Sequence, residues 1–301
     1  MAKPKVFIIV LNWNRKEMTA ECLDSLGRID YPNYQILVVD NGSTDGSQEL
    51  IKNKFPSVIL MENESNLGFV EGNNRGINYA IENKADYIFL VNDDVVVSPS
   101  VLSTLVDIAE NDRKVGILGP MIYHYDEPNR IQSAGGKIHW GKGRASHQGW
   151  DEIDYRQYNG NRDVDFLFGC AFLIKRSVIK KIGLMDPAFF MYFEEADWCF
   201  RAKKAGYKVV CVADSKVWHH NVNRENSPVF VYYFTRNNLL FMKKNASWHT
   251  WTCFLPYFLF NSILKKIGKW MIKGEKDKRE KTYALLKALV DFWLKRYEGR
   301  F

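Results

Sequence analysis

The first ninety residues alternate two hydrophobic rhythms. Residues 5–11 (KVFIIVL), 35–40 (QILVVD), 58–62 and 86–91 (DYIFLV) are short, continuous apolar runs rich in β-branched residues. That pattern predicts four strands, buried on both faces at 5–11, 35–40 and 86–91. Residues 17–26, 46–54 and 70–83, which lie between them, follow the helical period, and the dense turn signal 41–46 (NGSTDG) opens the second of these helices. Strand, helix, strand at this spacing predicts an α/β fold with a mostly parallel central sheet and helices on both faces. Ligands of such sheets bind beyond the carboxyl ends of the strands. Those ends are polar here: Asn12 and Asn14 after the first strand, Asp40 and Asn41 after the second, Asn92-Asp93-Asp94 after the fourth.

Farther along, residues 208–213 predict another strand, and 122–165 form a stretch rich in Gly, His, Tyr and Trp. The character changes after 232–238 (YYFTRNN). Residues 245–264 contain no Lys, Arg, Asp or Glu but include Trp248, Trp251 and Tyr257. Spanning a bilayer takes about 20 predominantly apolar residues. Asn245, Ser247, His249, Thr250, Pro256 and Asn261 interrupt this run, so full insertion is not expected. With Lys265, Lys266, Lys269 and Lys273 beside it, the run reads as a helix lying in a lipid interface through 245–273. The competing reading is a helix packed on the main domain or on a second subunit of a homodimer. Residues 279–297 read as an amphipathic helix with Leu285, Leu289, Phe292 and Trp293 on its apolar face. The expected division is a domain at 1–238 and a helical extension at 239–301.

Charge sharpens that division. From residue 240 onward there are 14 Lys and Arg against 5 Asp and Glu, whereas the first 239 residues hold 28 against 30. A near-neutral body thus carries a basic tail, which speaks to what the tail touches rather than to the fold. The 5 cysteines are scattered without a C-x-x-C pair, which argues against a disulfide scaffold or a cysteine zinc site and fits a reducing cytoplasm. The six apolar residues 6–11 fall short of a signal-peptide core, so no export signal is expected.

Three constellations carry chemistry. Asn92-Asp93-Asp94 offers carboxylates where a strand leaves the sheet; Mg²⁺ or Mn²⁺ takes a few such oxygens and shares its remaining positions with phosphates. Asp and Asn also favour turns and helix caps. Residues 66–76 (NLGFVEGNNRG) read as a glycine-rich loop ahead of a helix, a phosphate cradle or a tight turn. Glu194, Glu195 and Asp197 crowd three carboxyls into four positions, so that repulsion can raise one of them into the range of a base. Acids also simply favour a helix start. His219 and His220 follow as metal ligands, bases or structural side chains.

Taken together, VLNWNR, VVDNGSTDGS, NLGFVEGNNRGI, VNDDV, FEEADWCFRA and VWHH, in this order, resemble an inverting family 2 glycosyltransferase of GT-A fold, in the rhamnosyltransferase-like group. The resemblance covers residues 5–238. It implies that Asn12, Asn14, Asp40 and Asn41 line the nucleoside pocket, with Asp40 accepting from the base. Asn66, Gly68 and Asn73 would border ribose and diphosphate. Asn92-Asp93-Asp94 occupies the D-x-D-type position, which makes Asp94 the metal ligand with Asp93 assisting, and His219 resembles the second ligand. Glu195 stands where the family carries the Asp of its Glu-Asp pair, the general base; Glu194 and Asp197 are the neighbouring candidates. The implied donor is a nucleotide-diphospho-sugar, dTDP-rhamnose or a UDP-hexose, and the acceptor a glycan or lipid-linked hydroxyl. The implied cofactor is Mg²⁺ or Mn²⁺, and the implied location the cytoplasm, at the inner face of the membrane. The acceptor pocket would lie between the Glu195 helix and residues 122–165, with Gly135-Gly136 and Gly141-x-Gly143 making a mobile flap.

Two other classes compete. A nucleotidyltransferase would share the sheet and the metal but should carry a basic glycine-rich signature near its start, where this chain has Asn12-Trp13-Asn14-Arg15. A nucleic-acid-binding protein would use the basic tail. The tail's charge lies beside an uncharged apolar run, however, so no nucleic-acid partner is expected.

Overall fold

The computed structural model describes residues 3–220, 227–272, 277–297 and 301; Lys273 of the tail's lysine set lies outside them. The first half runs β1 (Val6–Asn12), α1 (Lys16–Leu26), β2 (Tyr34–Asp40), α2 (Ser47–Lys54), β3 (Ile59–Glu62), α3 (Gly68–Glu82) and β4 (Tyr87–Asn92). These strands pair in parallel in the order β3-β2-β1-β4. Phe7 and Ile9 of β1 enter one core, and Val6, Ile8 and Val10 enter another. Both faces of the sheet are therefore covered, which is why the strands read as unbroken apolar runs.

The second half supplies β5 (Val95–Val97), α4 (Val101–Asn111), β6 (Val115–His124), β7 (Ile131–Ser133), β8 (Gly136–His139), β9 (Arg144–His147), β10 (Asn161–Asp163), β11 (Ala171–Lys175), α5 (Arg176–Ile182), α6 (Glu194–Lys204) and β12 (Lys208–His219). β11 joins β4 antiparallel, β6 follows antiparallel to β11, and β12 lies parallel to β6. The sheet is thus parallel in its first half and mixed in its second. β12 is twice as long as the six residues that periodicity picks out, because its far end pairs with β5 and delivers His219 opposite Val95, beside Asp94.

Helix α3 corrects the expected loop. It begins at Gly68, so Gly72 and Gly76 lie inside it. A Cβ on Gly72 would sit 2.5 Å from Leu11 Cδ1, and one on Gly76 would sit 2.8 Å from Ile9 Cγ2. Those glycines let helix and strand approach closely; only Gly68, at φ +83°, is the turn that the sequence suggested.

The tail is α7 (Pro228–Asn245), α8 (Trp248–Phe258), a π-helical stretch Leu259–Leu264, α9 (Lys265–Ile272) and α10 (Lys278–Trp293). α7 passes unbroken through residue 238. α10 buries Leu285 and Phe292 as expected, but Trp293 is exposed, and Asp291 lies buried against Tyr232 Oη at 2.6 Å. Three glycines of the expected flap are wedged, Gly135 against Val164, Gly136 against the Phe166 ring and Gly143 against Phe254 of α8, and only Gly141 faces open space. The β8–β9 hairpin is thereby fastened to the tail.

Candidate active site

The parallel register sets the first part of the site. Asn12 pairs with Asp40 across β1 and β2, and Leu11 with Asn92 across β1 and β4, so three polar strand ends come level at one edge. Asp40 is fully buried. Asn12 Nδ2 donates to its Oδ2 at 2.6 Å, while Ser43 N and Gln48 Nε2 donate to its Oδ1 at 2.9 and 2.8 Å. Its oxygens therefore serve the 41–48 turn from beneath. Asn41 donates to Asn66 Oδ1 and to the Gly68 carbonyl and accepts from Asn63, a buried amide network that fixes the entry to α3. Asn73 is buried and donates back to the Phe69 carbonyl within its own helix. Asn14, at φ +52°, is exposed and accepts from Thr44 N. Beside it Trp13 is 47% exposed, an aromatic surface at the strand ends that sequence reasoning passed over.

Asp93 and Asp94 form the turn between β4 and β5, and both are buried. Arg15 Nη1 bridges them, 3.1 Å from Asp93 Oδ1 and in close contact with Asp94 Oδ2. The sequence held this signal in VLNWNR, but nothing in the spacing tells that Arg15 turns back under the acids. Burial, then the charge of Asp94, pushes the Asp93 carboxyl up. Burial works the same way on Asp94, yet His219 and Arg15 together outweigh it and hold that carboxyl below the usual range.

His219 Nδ1 lies 2.8 Å from Gln132 Oε1, and its Nε2 faces Asp94 Oδ1 at 3.2 Å. That buried oxygen makes no hydrogen bond of good geometry. At this separation the ring nitrogen and the carboxylate oxygen can meet through an N–H proton or share a metal ion. Among the described residues no three His, Cys, Asp or Glu side chains gather into a closed cage. An open pair of this kind suits Mg²⁺ or Mn²⁺, which keep waters and share the rest of their shell with phosphates.

Glu195 approaches from the other side. Its side chain lies against Gly169, and the next residue's carbonyl, Cys170 O, accepts from Asn92 N at 2.8 Å. Burial pushes the Glu195 carboxyl up to about 7, and burial plus the charge of Glu195 pushes Glu194 well up. Each has an Oε2 that is shielded and unpartnered among the described residues. Asp197 differs. It is fully buried and accepts from Arg201 Nε at 2.7 Å, Lys244 Nζ at 3.0 Å and Asn245 Nδ2 at 2.9 Å.

The sequence pattern of glycosyl transferase family 2 matches residues 7–183. The chain belongs to that family. This glycosyltransferase is 31% identical over 205 residues to an N-acetylglucosaminyl-diphospho-decaprenol L-rhamnosyltransferase of Mycobacterium tuberculosis, covering 62% of this chain and 67% of that one. It is 22% identical over 259 residues to the dTDP-rhamnosyl transferase RfbF of Shigella flexneri, covering 80% of each. These relatives set the transferase in the rhamnosyltransferase-like group. Its fold is also that of the mannosyltransferase PcManGT from Pyrobaculum calidifontis, solved in complex with GDP-Man and Mn²⁺, with a TM-score of 0.59 at 14% identity over 98% of this chain and 89% of that one. The fold is therefore GT-A, as the motifs implied.

Proposed function

We propose that this glycosyltransferase moves a sugar from a nucleotide-diphosphate donor, dTDP-rhamnose or a UDP-hexose, to a hydroxyl of a glycan or lipid-linked acceptor, by one in-line displacement that inverts the anomeric carbon. The observation that carries the reading is the convergence at one sheet edge of level polar strand ends, a buried acid–imidazole pair and a half-buried glutamate whose shielded carboxyl is raised. The named substrates of the relatives, a rhamnosyl donor and a diphospho-decaprenol acceptor, support the same choice.

Asn14 and Trp13 are the open groups for the nucleoside, with Asn12, Asp40, Asn41, Asn66 and Gly68 shaping the floor beneath it. Asn73 lies one layer deeper and supports α3. Asn92 anchors the turn that presents the acids. Asp94 and His219 would hold Mg²⁺ or Mn²⁺, with Asp93 assisting; an ion there would neutralise the charge that gathers on the departing diphosphate. Glu195, ionised above its pKa, takes the proton of the acceptor hydroxyl as that oxygen bonds to the anomeric carbon and the bond to diphosphate breaks. Glu194 lies beside it as a buried neighbour whose own ionisation is opposed by burial and by the charge of Glu195, and Asp197, with its oxygens occupied, secures the helix rather than the proton.

The catalytic unit is 1–238, with 239–301 docked upon it. Among the described residues no helix is long and apolar enough to cross a membrane. Trp248, Phe260, Leu264, Met271 and Ile272 stand exposed near the exposed Lys265 and Lys269, which supports a helix resting on an anionic bilayer at its cytoplasmic face. Sedimentation with phosphatidylglycerol vesicles tests this part: Phe260→Ala with Lys269→Glu should abolish it, and wild-type protein left in the supernatant would refute it.

The donor site is tested by thermal shift with UDP, dTDP, GDP and CDP, each with and without Mn²⁺ or Mg²⁺. A ligand that binds only the folded state raises its melting point. One nucleotide should stabilise the wild type only with metal, and Asp94→Ala should lose that shift. If no nucleotide shifts the melting point under any condition, the reading is overturned.

A further inference from the structure

The segment that leads into α6 is built against its own preferences. Phe190 has φ +63° and ψ −55°, and Met191 N donates to the Phe189 carbonyl at 2.7 Å, which closes a γ-turn of the strained, positive-φ kind. Tyr192 and Phe193 follow at φ +69° and +72°. Three bulky residues in sparsely populated conformations persist only where the surroundings over-determine them. No glycine relieves the run, and Glu194-Glu195 starts immediately after it.

What over-determines it is one step of α7. Asn237 Nδ2 lies 2.7 Å from the Phe189 carbonyl, 2.6 Å from that of Met191 and 2.9 Å from that of Tyr192. Arg236 Nη2 donates to the carbonyls of Ala188 and Phe189 at 2.9 and 3.0 Å. Arg236 Nε donates to Asn237 Oδ1 at 2.9 Å, which fixes the amide so that its NH₂ faces the loop. Both residues are fully buried, and Arg236 pairs with no carboxylate among the described residues. Four loop carbonyls converge on this pair, two of them on the guanidinium, which also packs against the rings of Tyr232, Tyr233 and Tyr297. Two turns later on the same helix, Lys244 and Asn245 hold Asp197 of α6. α7 thus grips both the entry to α6 and its first turn.

We propose that Arg236 and Asn237 are positioning residues for Glu195: they hold residues 188–193 in the strained path that aims the glutamate at the acceptor hydroxyl. The proposal rests on the reading of Glu195 as the base. Relaxing Tyr192 or Phe193 to a negative φ turns the start of α6 and swings Glu195 away, and a misplacement of about 1 Å at a reacting group costs on the order of 10²-fold in rate.

The test compares Asn237→Ala, Asn237→Ser, Arg236→Lys and Glu195→Gln with the wild type. One readout is nucleotide release from whichever of UDP-glucose, UDP-N-acetylglucosamine, dTDP-rhamnose and GDP-mannose the enzyme turns over; the other is amide hydrogen exchange. Asn237→Ala should lower kcat by about 10²-fold with the donor KM within about 3-fold. Exchange should rise in residues 190–195 and stay unchanged in β1 and β4. Asn237→Ser, which keeps one short donor, should recover part of the rate, and it decides the matter if the alanine variant does not fold. Arg236→Lys keeps a cation but cannot orient the amide, and should fall between them. Wild-type kcat in Asn237→Ala or Asn237→Ser and in Arg236→Lys, with Glu195→Gln inactive, overturns the proposal. So does a raised KM at unchanged kcat. Wild-type turnover in Glu195→Gln would instead remove the base itself, a separate failure.

Discussion

The two walls of the site are held in opposite ways. On the strand side, Asn12, Asp40 and Asn92 are level because neighbouring parallel strands pair in register, and their bonds run between residues close to that edge. On the α6 side, the base candidate hangs on a strained loop gripped by side chains about 45 residues later in the chain. The first wall is what secondary structure delivers without further expense. The second stores strain of about 1–3 kcal/mol per residue, offset by buried hydrogen bonds. A site that must bind donor tightly and then place one proton acceptor closely has a reason to differ in this way, because binding tolerates small errors and in-line attack does not.

Substitutions should separate the walls. The largest effect belongs to Asp94→Ala, which removes the acid facing His219: turnover should fall by about 10³-fold or more, with loss of the metal-dependent nucleotide shift. A metal-independent enzyme would retain its turnover and show the same nucleotide shift with and without metal. Glu195→Gln comes next, with kcat down by about 10²–10⁴-fold and nucleotide–metal binding intact, as isothermal titration would report. If both walls lost nucleotide binding equally, the division drawn here would collapse.

The pH dependence of Glu195 adds a second measurement to that variant. A base whose carboxyl sits at about 7 gives a kcat/KM that rises with pH through that value. The same carboxyl, raised above its ordinary 4.5, retains a proton that the unfolded chain has released. It therefore costs stability progressively as pH climbs from about 4.5 through about 7. Glu195→Gln should lose that slope and melt higher than the wild type at pH 8 but not at pH 4. Parallel melting curves for the two proteins across this range would contradict the buried, elevated carboxyl.

Arg15→Gln sharpens the strand side. It leaves Asp93 and Asp94 without their shared counter-ion, so the variant should melt several degrees below the wild type at pH 8. Mn²⁺ alone should then raise its melting point by more than that of the wild type, since the ion supplies the missing charge. Equal Mn²⁺ shifts in the two proteins would detach Arg15 from the metal region. The smallest expected effect on rate is that of Asp197→Asn, within about 3-fold in kcat, although the protein melts lower because a buried charge network is broken. A collapse of kcat at full stability would return Asp197 to the list of bases.

Much of the fold was readable from local pattern. The strands of the first half, the turn after β2 and the polar strand ends follow from period and turn chemistry, whose cause lies within a few residues. Where that reading slipped, the cause was distant. Gly72 and Gly76 resemble loop residues until Leu11 and Ile9 are seen pressing on them. Gly136 and Gly143 resemble hinges until Phe166 and Phe254 fill the space where a Cβ would go. Trp293 has the right period for a buried face but falls just outside the stripe that α10 turns toward α7. Arg15, Trp13, Arg236 and Asn237 were visible as letters, yet their partners are set by chain crossings that no window contains.

By itself, then, the sequence determined the family, the α/β alternation and which strand ends would be polar, because hydrophobic period and turn preference are properties of short segments. Tertiary structure alone decided that Arg15 bridges the acids, that His219 meets Asp94, that Asp197 is spent on Lys244 and Asn245, and that Glu195 stands at the end of a clamped loop. Those outcomes depend on which buried donor finds which buried acceptor across the core. Desolvation makes every unmet polar group expensive there, so the answer emerges only when the whole chain has packed.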